Sequence, residues 1–290
     1  MKINFKKLNK SKRVSRSRLG TLAIMSVLLV FAVIMALPLV LIIANAFKPL
    51  DELWIFPPKL YAMNPTLSNF RDMFFIMSDS DVPFLRYVFN TVFITVVGTV
   101  GNIILSSMCA FVLAKKKFPG SKLIFQTIVF SLMFSATVGQ IINYITMASF
   151  RWIDTYLALI VPACASSLGL YLMKQFIEQV PDSLIEAARI DGAGQWKVFW
   201  EIVMPNVKSA WLTLMLLSVQ SLWGMGETPY IYKEELKTLP YALGQILAGG
   251  VARAGVGAAV TVFMMIVPIL IFVFSQSNII ETMSSSGLKE

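Results

Sequence analysis

The sequence predicts an all-α, polytopic membrane protein with six transmembrane helices and both termini in the cytoplasm. Of its 290 residues, 57% are hydrophobic and 14% are charged, whereas a soluble domain is about half apolar and about a quarter charged. Six stretches carry no charged residue for long enough to cross a hydrocarbon core about 30 Å thick. They are too long and too uniformly apolar for barrel strands, so each is predicted to be a helix.

The six uncharged stretches lie between Arg18 and Lys48, Arg86 and Lys115, Lys122 and Arg151, Asp154 and Lys174, Lys208 and Glu227, and Arg253 and Glu281. The first ends in Ala44-Asn45-Ala46, which resembles a signal-peptidase site. Its apolar run is about twice the length of a signal-peptide core, so we expect it to stay as an anchor. A further uncharged stretch, Thr238 to Ala252, is short and contains Gly244, which favours a loop with a surface helix over a seventh span.

The distribution of basic residues predicts the orientation. With both termini inside, 17 of the 25 Lys and Arg residues lie on inner segments, as the positive-inside rule requires. The chain then divides into a basic cytoplasmic segment (residues 1–18), a six-helix transmembrane domain (19–280) and a cytoplasmic tail (281–290). A nucleic-acid arm is the alternative for the basic segment, but anionic lipid headgroups account for its charge without a nucleic-acid partner.

The residue inventory excludes several kinds of site. The chain contains no His, which rules out histidine general-base catalysis and His-containing zinc sites, and we predict no metal site. Cys109 and Cys164 both lie in apolar runs, where we expect them to pack as small hydrophobic residues rather than form a disulfide.

The longest inner loop, at about residues 174–208, differs in composition from the rest of the chain. Ser183 and Glu186 have capping-box spacing, which predicts a helix that begins just after Pro181. Gly192 and Gly194 should end that helix. A second short helix should follow from Gln195 to Met204, until Pro205 breaks it. The predicted hairpin could lie on lipid headgroups or meet a partner surface.

The same loop carries Glu186-Ala187-Ala188, Gly192, Ile202, Met204 and Pro205. These residues resemble, in type and spacing, the EAA loop of permease subunits from binding-protein-dependent ABC importers; only Met204 replaces the usual Leu. Ala110 to Lys122 and Arg189 to Ala193 are similar to the carbohydrate branch of that family. From about Asn45 onward the chain is most similar to the maltose-system type of permease subunit.

This resemblance implies the type I ABC importer transmembrane fold and a set of partners. The chain would form half of a pore with a second homologous permease subunit and receive solute from an extracellular solute-binding lipoprotein or a periplasmic binding protein. Two ATPase subunits would use ATP and Mg, and this chain would bind no cofactor. Consistently, Gly120-Ser121-Lys122 lacks the upstream glycine and following hydroxyl of a phosphate-binding loop. The implied location is the bacterial inner or cytoplasmic membrane.

The resemblance also implies which residues couple the chain to the ATPase. In the family the hairpin sits in a cleft of the ATPase subunit and transmits its closure to the membrane helices. A cap on its own helix is the alternative role for Glu186. The implied coupling residues are Glu186, Ala187, Ala188, Asp191, Gly192 and Pro205.

Polar side chains within the spans are candidates for a substrate path, since polar groups there usually face a partner helix or an aqueous cavity. Amides could bond sugar hydroxyls, and Trp223 could stack on a sugar ring. Hydrogen bonding between helices is the alternative for each, and Trp223 to Glu227 departs from the carbohydrate-branch pattern. We read Gly98, Gly101, Ser106, Ser107 and Ala110 as helix-packing positions. The path candidates are Asn102, Gln140, Asn143, Tyr144, Gln220, Trp223 and Glu227.

Two other classes of protein compete with a permease subunit. A subunit of an unrelated channel or secondary transporter is the first, but ion coupling calls for ionisable residues within the spans, which have essentially none. A membrane-embedded enzyme is the second, but the chain lacks His, clustered carboxylates within the spans and a nucleophile motif. We therefore expect that the chain is not an enzyme.

Overall fold

A computed structural model describes residues 18–78, 82–134, 136–250 and 253–286. Within these ranges the chain is helical and contains no β-strand, as predicted. Most of the predicted basic segment and the last four residues of the predicted tail lie outside the described residues.

Fourteen α-helices, one π-helical turn and one 3₁₀ turn follow one another in these ranges. The helices are α1 Arg18–Phe47, α2 Leu50–Leu53, α3 Ser68–Ser78, α4 Phe84–Lys115, α5 Ser121–Ser131, α6 Ala136–Ser149, α7 Leu157–Cys164, α8 Ser167–Glu178, α9 Asp182–Ile190, α10 Gln195–Lys197, α11 Met204–Asn206, α12 Lys208–Trp223, α13 Leu239–Ala248 and α14 Ala254–Ser286. The π-helical turn is Val198–Val203, and the 3₁₀ turn is Glu234–Leu236.

Four of the described helical segments are long and apolar enough to cross a membrane: Gly20–Phe47, Phe84–Lys115, Leu157–Glu178 and Ala254–Gln276. They match the first, second, fourth and sixth predicted spans. A bent pair, Gln195–Asn206 and Lys208–Trp223, meets at 81° and covers the fifth. The third predicted run is divided into α5 and α6, so the count of six spans stays a prediction.

The backbone hydrogen bonds show how α5 ends within the third run. At the end of α5 the amides of Leu132, Met133 and Phe134 donate to carbonyls three residues earlier, at 3.2, 3.0 and 3.3 Å. Bonds of this spacing tighten the last turn and end an α-helix. No Pro or Gly marks this place in the sequence, and the uncharged run therefore predicts one continuous helix.

Helix α4 is central and packs against α7, α8 and α12. Small residues allow close approach: a Cβ added at Gly98 would lie 2.8 Å from Leu222 Cδ1, and one added at Gly101 would overlap Cys164 Sγ. Ser106, Ser107 and Ala110 are buried. The predicted packing role of all five positions is confirmed.

The two cysteines are free and differ in environment. Cys164 packs beneath Gly101, as expected of a small hydrophobic residue. Cys109 is exposed on the surface of α4, so the expectation that it packs as a small hydrophobic residue is wrong. The reason is helical geometry, since apolar residues of a span that face lipid or another chain cannot be told from core residues by composition alone.

The uncharged stretch from Thr238 contains the predicted short helix, α13, although its residues 251 and 252 lie outside the described part. One face of α13 is buried against α3, α4 and α14, with Leu239 fully buried beside Met73, Tyr87 and Val260. The helix is therefore half-buried rather than superficial. At ten residues it is too short to cross a membrane.

Helix α1 projects most of its surface away from the rest of the chain, and Leu22, Met25 and Leu29 are all exposed. Its last turn is different, because Ala46 is fully buried and the Asn69 amide donates to the carbonyls of Ala46 (3.0 Å) and Lys48 (2.7 Å). These bonds fix the end of α1 to α3. The exposed part is apolar enough to face lipid.

Candidate coupling hairpin and transport path

Helices α9 and α10, the π-helical turn and α11 form the hairpin predicted from the long inner loop. Helix α9 begins immediately after Pro181, as predicted. The prediction of a capping box is wrong. Pro181 occupies the cap position, Ser183 lies within the first turn, and no side chain caps the helix. The start of α9 is held instead by an ion pair from another helix.

That ion pair belongs to Lys115, the last residue of α4. Its side chain is 6% exposed, and its Nζ donates to Asp182 Oδ1 (2.8 Å) and to the carbonyls of Val180 (2.5 Å) and Glu178 (3.3 Å). The hydrogen bond and charge of Lys115 hold the pKa of the Asp182 carboxyl below its ordinary value of 3.8. One ammonium thus joins the end of α4 to the end of α8 and the start of α9.

The turn after α9 requires a glycine. Gly192 has φ +83°, its amide donates to the Arg189 carbonyl at 3.0 Å, and the Ala193 amide donates to the Ala188 carbonyl at 2.9 Å. This is the Schellman pattern, in which the residue with positive φ is usually Gly because a Cβ is strained there. The predicted end of the helix at Gly192 is confirmed.

The second half of the hairpin departs from the prediction at Pro205. The helix does not break there but continues to Asn206, and the 81° bend follows at Val207. Pro205 lies in the first turn of α11, directly after the π-helical turn. π-helical turns are places of irregular helical hydrogen bonding, and the chain stays helical through the proline that follows this one.

A buried apolar cluster fixes the hairpin to the membrane helices. Ile185 of α9, together with Val198, Phe199 and Val203 of the π-helical turn, packs against α4 and α8. The rings of Phe111 and Phe199 lie 5.6 Å apart. With the Lys115 bonds, this cluster makes the hairpin an extension of the membrane helices rather than a loose loop.

The opposite side of the hairpin is uncovered. Glu186 and Ala187 are exposed, and Ile190 is 87% exposed. The Glu186 carboxylate makes no capping hydrogen bond and has no ion-pair partner within the described residues, so the capping role is not seen. Ala188 is half-buried, and Asp191 and Pro205 are exposed. The exposed residues of the hairpin therefore include an acidic group and large apolar side chains, among them Trp200.

Two of the seven substrate-path candidates join helices instead. Asn102 is buried, its Nδ2 donates to Ser218 Oγ (2.8 Å), and its Oδ1 accepts from Ser106 Oγ (2.8 Å). Trp223 is 5% exposed and its Nε1 donates to the Met264 carbonyl at 3.0 Å. Both side chains thus form hydrogen bonds between helices, Asn102 from α4 to α12 and Trp223 from α12 to α14.

A cavity of about 510 Å³ brings two other candidates together. Gln140 and Glu227 both line it, with Tyr232 and Tyr241 from the loop after α12 and from α13. Tyr144 lies at its side, where its hydroxyl is 3.1 Å from that of Tyr232. Asn143 and Gln220 are exposed and are not among its lining residues. Sequence reasoning missed the two tyrosines because they lie outside the predicted spans.

Hydrogen bonds fix the loop that forms one wall of this cavity. Asp154 Oδ1 accepts from the backbone amides of Tyr232 (2.6 Å) and Lys233 (3.0 Å), and the Asn90 amide donates to the Lys237 carbonyl at 2.8 Å. The amide of Lys233, followed by that of Tyr232, holds the pKa of the Asp154 carboxyl below its ordinary value of 3.8.

Residues 14–284 match the family model described as the binding-protein-dependent transport system inner membrane component. The chain belongs to this family. The assignment confirms the resemblance carried by the hairpin residues, and the alternative assignment to an unrelated channel or secondary transporter is wrong. The family consists of membrane permease components, so the chain is a permease subunit of an ABC importer.

Several permease proteins are similar to this family member. The polygalacturonan/rhamnogalacturonan transport system permease protein YtcP of Bacillus subtilis is 30% identical over 225 residues, which cover 78% of this chain and 76% of YtcP. Protein LplC of the same organism is 34% identical over 64% of this chain and 61% of its own length. The arabinooligosaccharides transport system permease protein AraQ of B. subtilis is 25% identical over 87% of this chain and 90% of AraQ.

A solved structure shows the same fold. It is a crystal structure of a bacterial ABC transporter involved in the import of the acidic polysaccharide alginate, and the likeness has a TM-score of 0.77 with 23% identity over 90% of this chain and 98% of that chain. The type I importer permease fold predicted for this family member is confirmed.

Proposed function

We propose that the chain forms half of the translocation pore of an importer that brings a sugar or oligosaccharide into the cell. It would pair with a second homologous permease subunit and two ATPase subunits and take solute from an extracellular solute-binding lipoprotein or a periplasmic binding protein. The observation that carries the proposal is the hairpin, which is fixed to the membrane helices on one side and uncovered on the other. The similar proteins include permeases of transport systems for polygalacturonan/rhamnogalacturonan and for arabinooligosaccharides, which supports the sugar class.

The coupling step follows from the two sides of the hairpin. The uncovered side would enter a cleft of the ATPase, where Glu186 accepts charge-assisted hydrogen bonds and Ala187 permits close approach. ATP and Mg would be used in that ATPase, and this chain would bind neither. Closure of the ATPase pair would move the hairpin, and Lys115 and the apolar cluster around Phe199 would pass the movement to α4 and α8.

The sugar path would include the 510 Å³ cavity. An amide (Gln140), a carboxylate (Glu227) and two phenols (Tyr232 and Tyr241) line it. These groups suit the hydroxyls and flat faces of sugar rings. An amide donates to and accepts from hydroxyls, a carboxylate accepts from them, and aromatic rings supply apolar stacking surface.

Hairpin variants test the coupling part of the proposal. Gly192→Asp forces a side chain into a positive-φ position, and Glu186→Lys reverses the charge of the uncovered surface. We expect both variants to enter the membrane normally and to lose most solute-stimulated uptake. Gly194→Asp is the matched control, because Gly194 has an ordinary φ of −68° and open space at its Cβ position.

Purification of the native complex in mild detergent tests the assembly. An ATPase and a second permease should accompany the wild-type chain, and Glu186→Lys should retain less ATPase. Normal uptake by both hairpin variants, or the absence of an ATPase from the complex, would contradict the proposal.

A further inference from the structure

Two adjoining cavities lie beside the hairpin at the Lys115 end of α4. The first, of about 740 Å³, has an apolar wall that includes Val112, Ile128 and Phe199. The second, of about 660 Å³, is lined by four lysines: Lys116, Lys117, Lys122 and Lys174. Because Leu113 and Lys116 line both cavities, they form one continuous groove with an apolar part and a basic part.

The basic part of the groove holds more positive charge than its own acids neutralise. Lys174 pairs with Glu178 at 2.8 Å and lies 4.1 Å from the Phe125 ring centroid. The other nearby acid, Asp182, accepts from Lys115. The remaining three lysine side chains have no hydrogen-bond or ion-pair partner within the described ranges: Lys116, Lys117 and Lys122.

The start of α5 adds to this positive field. Its cap is Gly120, no side chain accepts from its first amides, and no acid lies in its first turn. Ser121 and Lys122 of that turn line the basic cavity. The Ser121 amide donates to the Phe118 carbonyl at 3.3 Å, and the positive end of the helix dipole, which favours an anion, adjoins the unpaired lysines.

We propose that this groove binds one anionic phospholipid, with its phosphate among Lys116, Lys117 and Lys122 and an acyl chain in the apolar part. The groove places an apolar surface beside a basic surface, as the acyl chain and the phosphate of such a lipid require. In the predicted orientation it lies at the cytoplasmic end of the helices. Basic pockets between transmembrane helices on this side of a membrane suit anionic headgroups. Trp196 of the hairpin lines the apolar part, as interfacial tryptophans do.

The proposed lipid would contact the coupling hairpin directly. Gln195, Trp196 and Phe199 belong to the hairpin and line the apolar cavity, whereas Val112 and Ile128 belong to the membrane helices. An acyl chain between these two sets would fill space that the protein leaves open. The hairpin would then be held less firmly when the groove is empty.

Native mass spectrometry of the purified importer complex tests this site. The complex is taken from membranes, exchanged into bilayer discs that contain phosphatidylcholine and phosphatidylglycerol, and then released into mild detergent. We expect the wild type to retain one phosphatidylglycerol in preference to phosphatidylcholine. The triple variant Lys116→Gln, Lys117→Gln, Lys122→Gln should retain at least about tenfold less.

A matched control removes equal charge from elsewhere on the same predicted side. Arg189, Lys197 and Lys208 are exposed and line neither cavity, so the triple variant Arg189→Gln, Lys197→Gln, Lys208→Gln should retain phosphatidylglycerol as the wild type does. An excess of inorganic phosphate, which shares the headgroup chemistry but has no acyl chain, should not displace the lipid. Equal retention of the two lipids, equal loss in both triple variants, or displacement by inorganic phosphate would each overturn the proposal.

A protein occupant gives a different result. If the second permease covers the groove, a crosslinker attached to the exposed thiol of Cys109, which lines the apolar part, should join the two permeases, and no lipid should be retained. That outcome would overturn the lipid site and leave the proposed function intact. Absence of the ATPase from a complex that retains phosphatidylglycerol would instead contradict the proposed function alone.

Discussion

Lys115 is the residue whose bonds connect the membrane helices to the hairpin. Substitution by Met keeps the length of the side chain but removes the donor, leaving the carbonyls of Glu178 and Val180 without it. Water can replace the donor at the exposed Glu178 carbonyl but less readily at the part-buried Val180 carbonyl, and a fully buried group left unsatisfied would cost about 1–3 kcal/mol. We expect Lys115→Met to insert normally, to loosen the start of α9 and to reduce transport coupled to ATP hydrolysis. Limited proteolysis at Arg189, compared with uptake, measures both effects.

Lys197→Met is the control for this substitution. Lys197 is also on the hairpin, but it is exposed and its Nζ lies 3.9 Å from Glu201, a distance at which an exposed ion pair contributes little. The Lys197→Met variant should therefore show the same proteolysis at Arg189 and the same uptake as the wild type. Equal loss in both variants would mean that hairpin charge in general, and not the bonds of Lys115, supports coupling.

The sequence predicts Gly192 and does not predict Lys115, for a physical reason. A turn that follows a helix needs positive φ, and glycine is the residue that supplies it, so a local pattern suffices. The partners of Lys115 lie 63, 65 and 67 residues further along the chain. No local pattern reports a contact at that separation, and Lys115 is therefore read only as one of a row of basic residues.

The contact between α12 and α14 depends on Trp223. Trp223→Phe removes the Nε1 donor to the Met264 carbonyl and keeps most of the buried ring. We expect the melting temperature of the complex to fall by about 2–4 °C with an unchanged KM for solute. Trp211→Phe, on the same helix, is the control, because no hydrogen bond of its indole is seen in the described part of the chain. A raised KM with unchanged stability would show that Trp223 contacts solute.

The loop after α12 depends on the ionised form of Asp154. Because the folded pKa lies below the ordinary 3.8, this stabilisation is fully present above pH 3.8 and is lost as the pH falls through the lowered folded value. Asp154→Ala should therefore lower the protection of the Tyr232 and Lys233 amides against hydrogen exchange at neutral pH, where protection is the intrinsic exchange rate divided by the observed rate. Asp51→Ala, at an exposed carboxylate, should not change this protection. Unchanged protection in Asp154→Ala would contradict the role of these bonds.

Helix existence is predicted better than helix continuity. Uncharged runs identify every long apolar helix found among the described residues, because charge is costly in lipid over the whole length of a span. The interruption between α5 and α6 and the bend at Val207 arise from the hydrogen bonds of single turns. Neither coincides with the residue that sequence reasoning expects to break a helix, since the chain stays helical through Pro205.

The cavity and the coupling hairpin lie at opposite ends of the membrane helices. The cavity lined by Gln140 and Glu227 lies at one end, and the hairpin with its uncovered surface lies at the other, in the predicted orientation. Helices α4 and α12 run between these regions. Movement of the hairpin can therefore reach the cavity through continuous helices and needs no flexible linker.

The number of crossings between Ser68 and Ser183 decides whether the divided third run spans the membrane. If α5 and α6 together make one crossing, the chain crosses the membrane three times between Ser68 and Ser183. These two exposed residues then lie on opposite sides of the membrane. We expect a single cysteine at Ser68→Cys, in a Cys109→Ser, Cys164→Ala background that retains uptake, to react with a membrane-impermeant maleimide in intact cells. Ser183→Cys should react only after permeabilisation, because the positive-inside rule places the hairpin in the cytoplasm.

Two other labelling patterns would contradict the predicted topology. Reaction of Ser183→Cys alone in intact cells would reverse the orientation and contradict the charge argument. Reaction of both cysteines in intact cells would mean an even number of crossings, so that α5 and α6 form a re-entrant pair on one side. In that case the hairpin could not meet a cytoplasmic ATPase, and the coupling mechanism would fall with the third span.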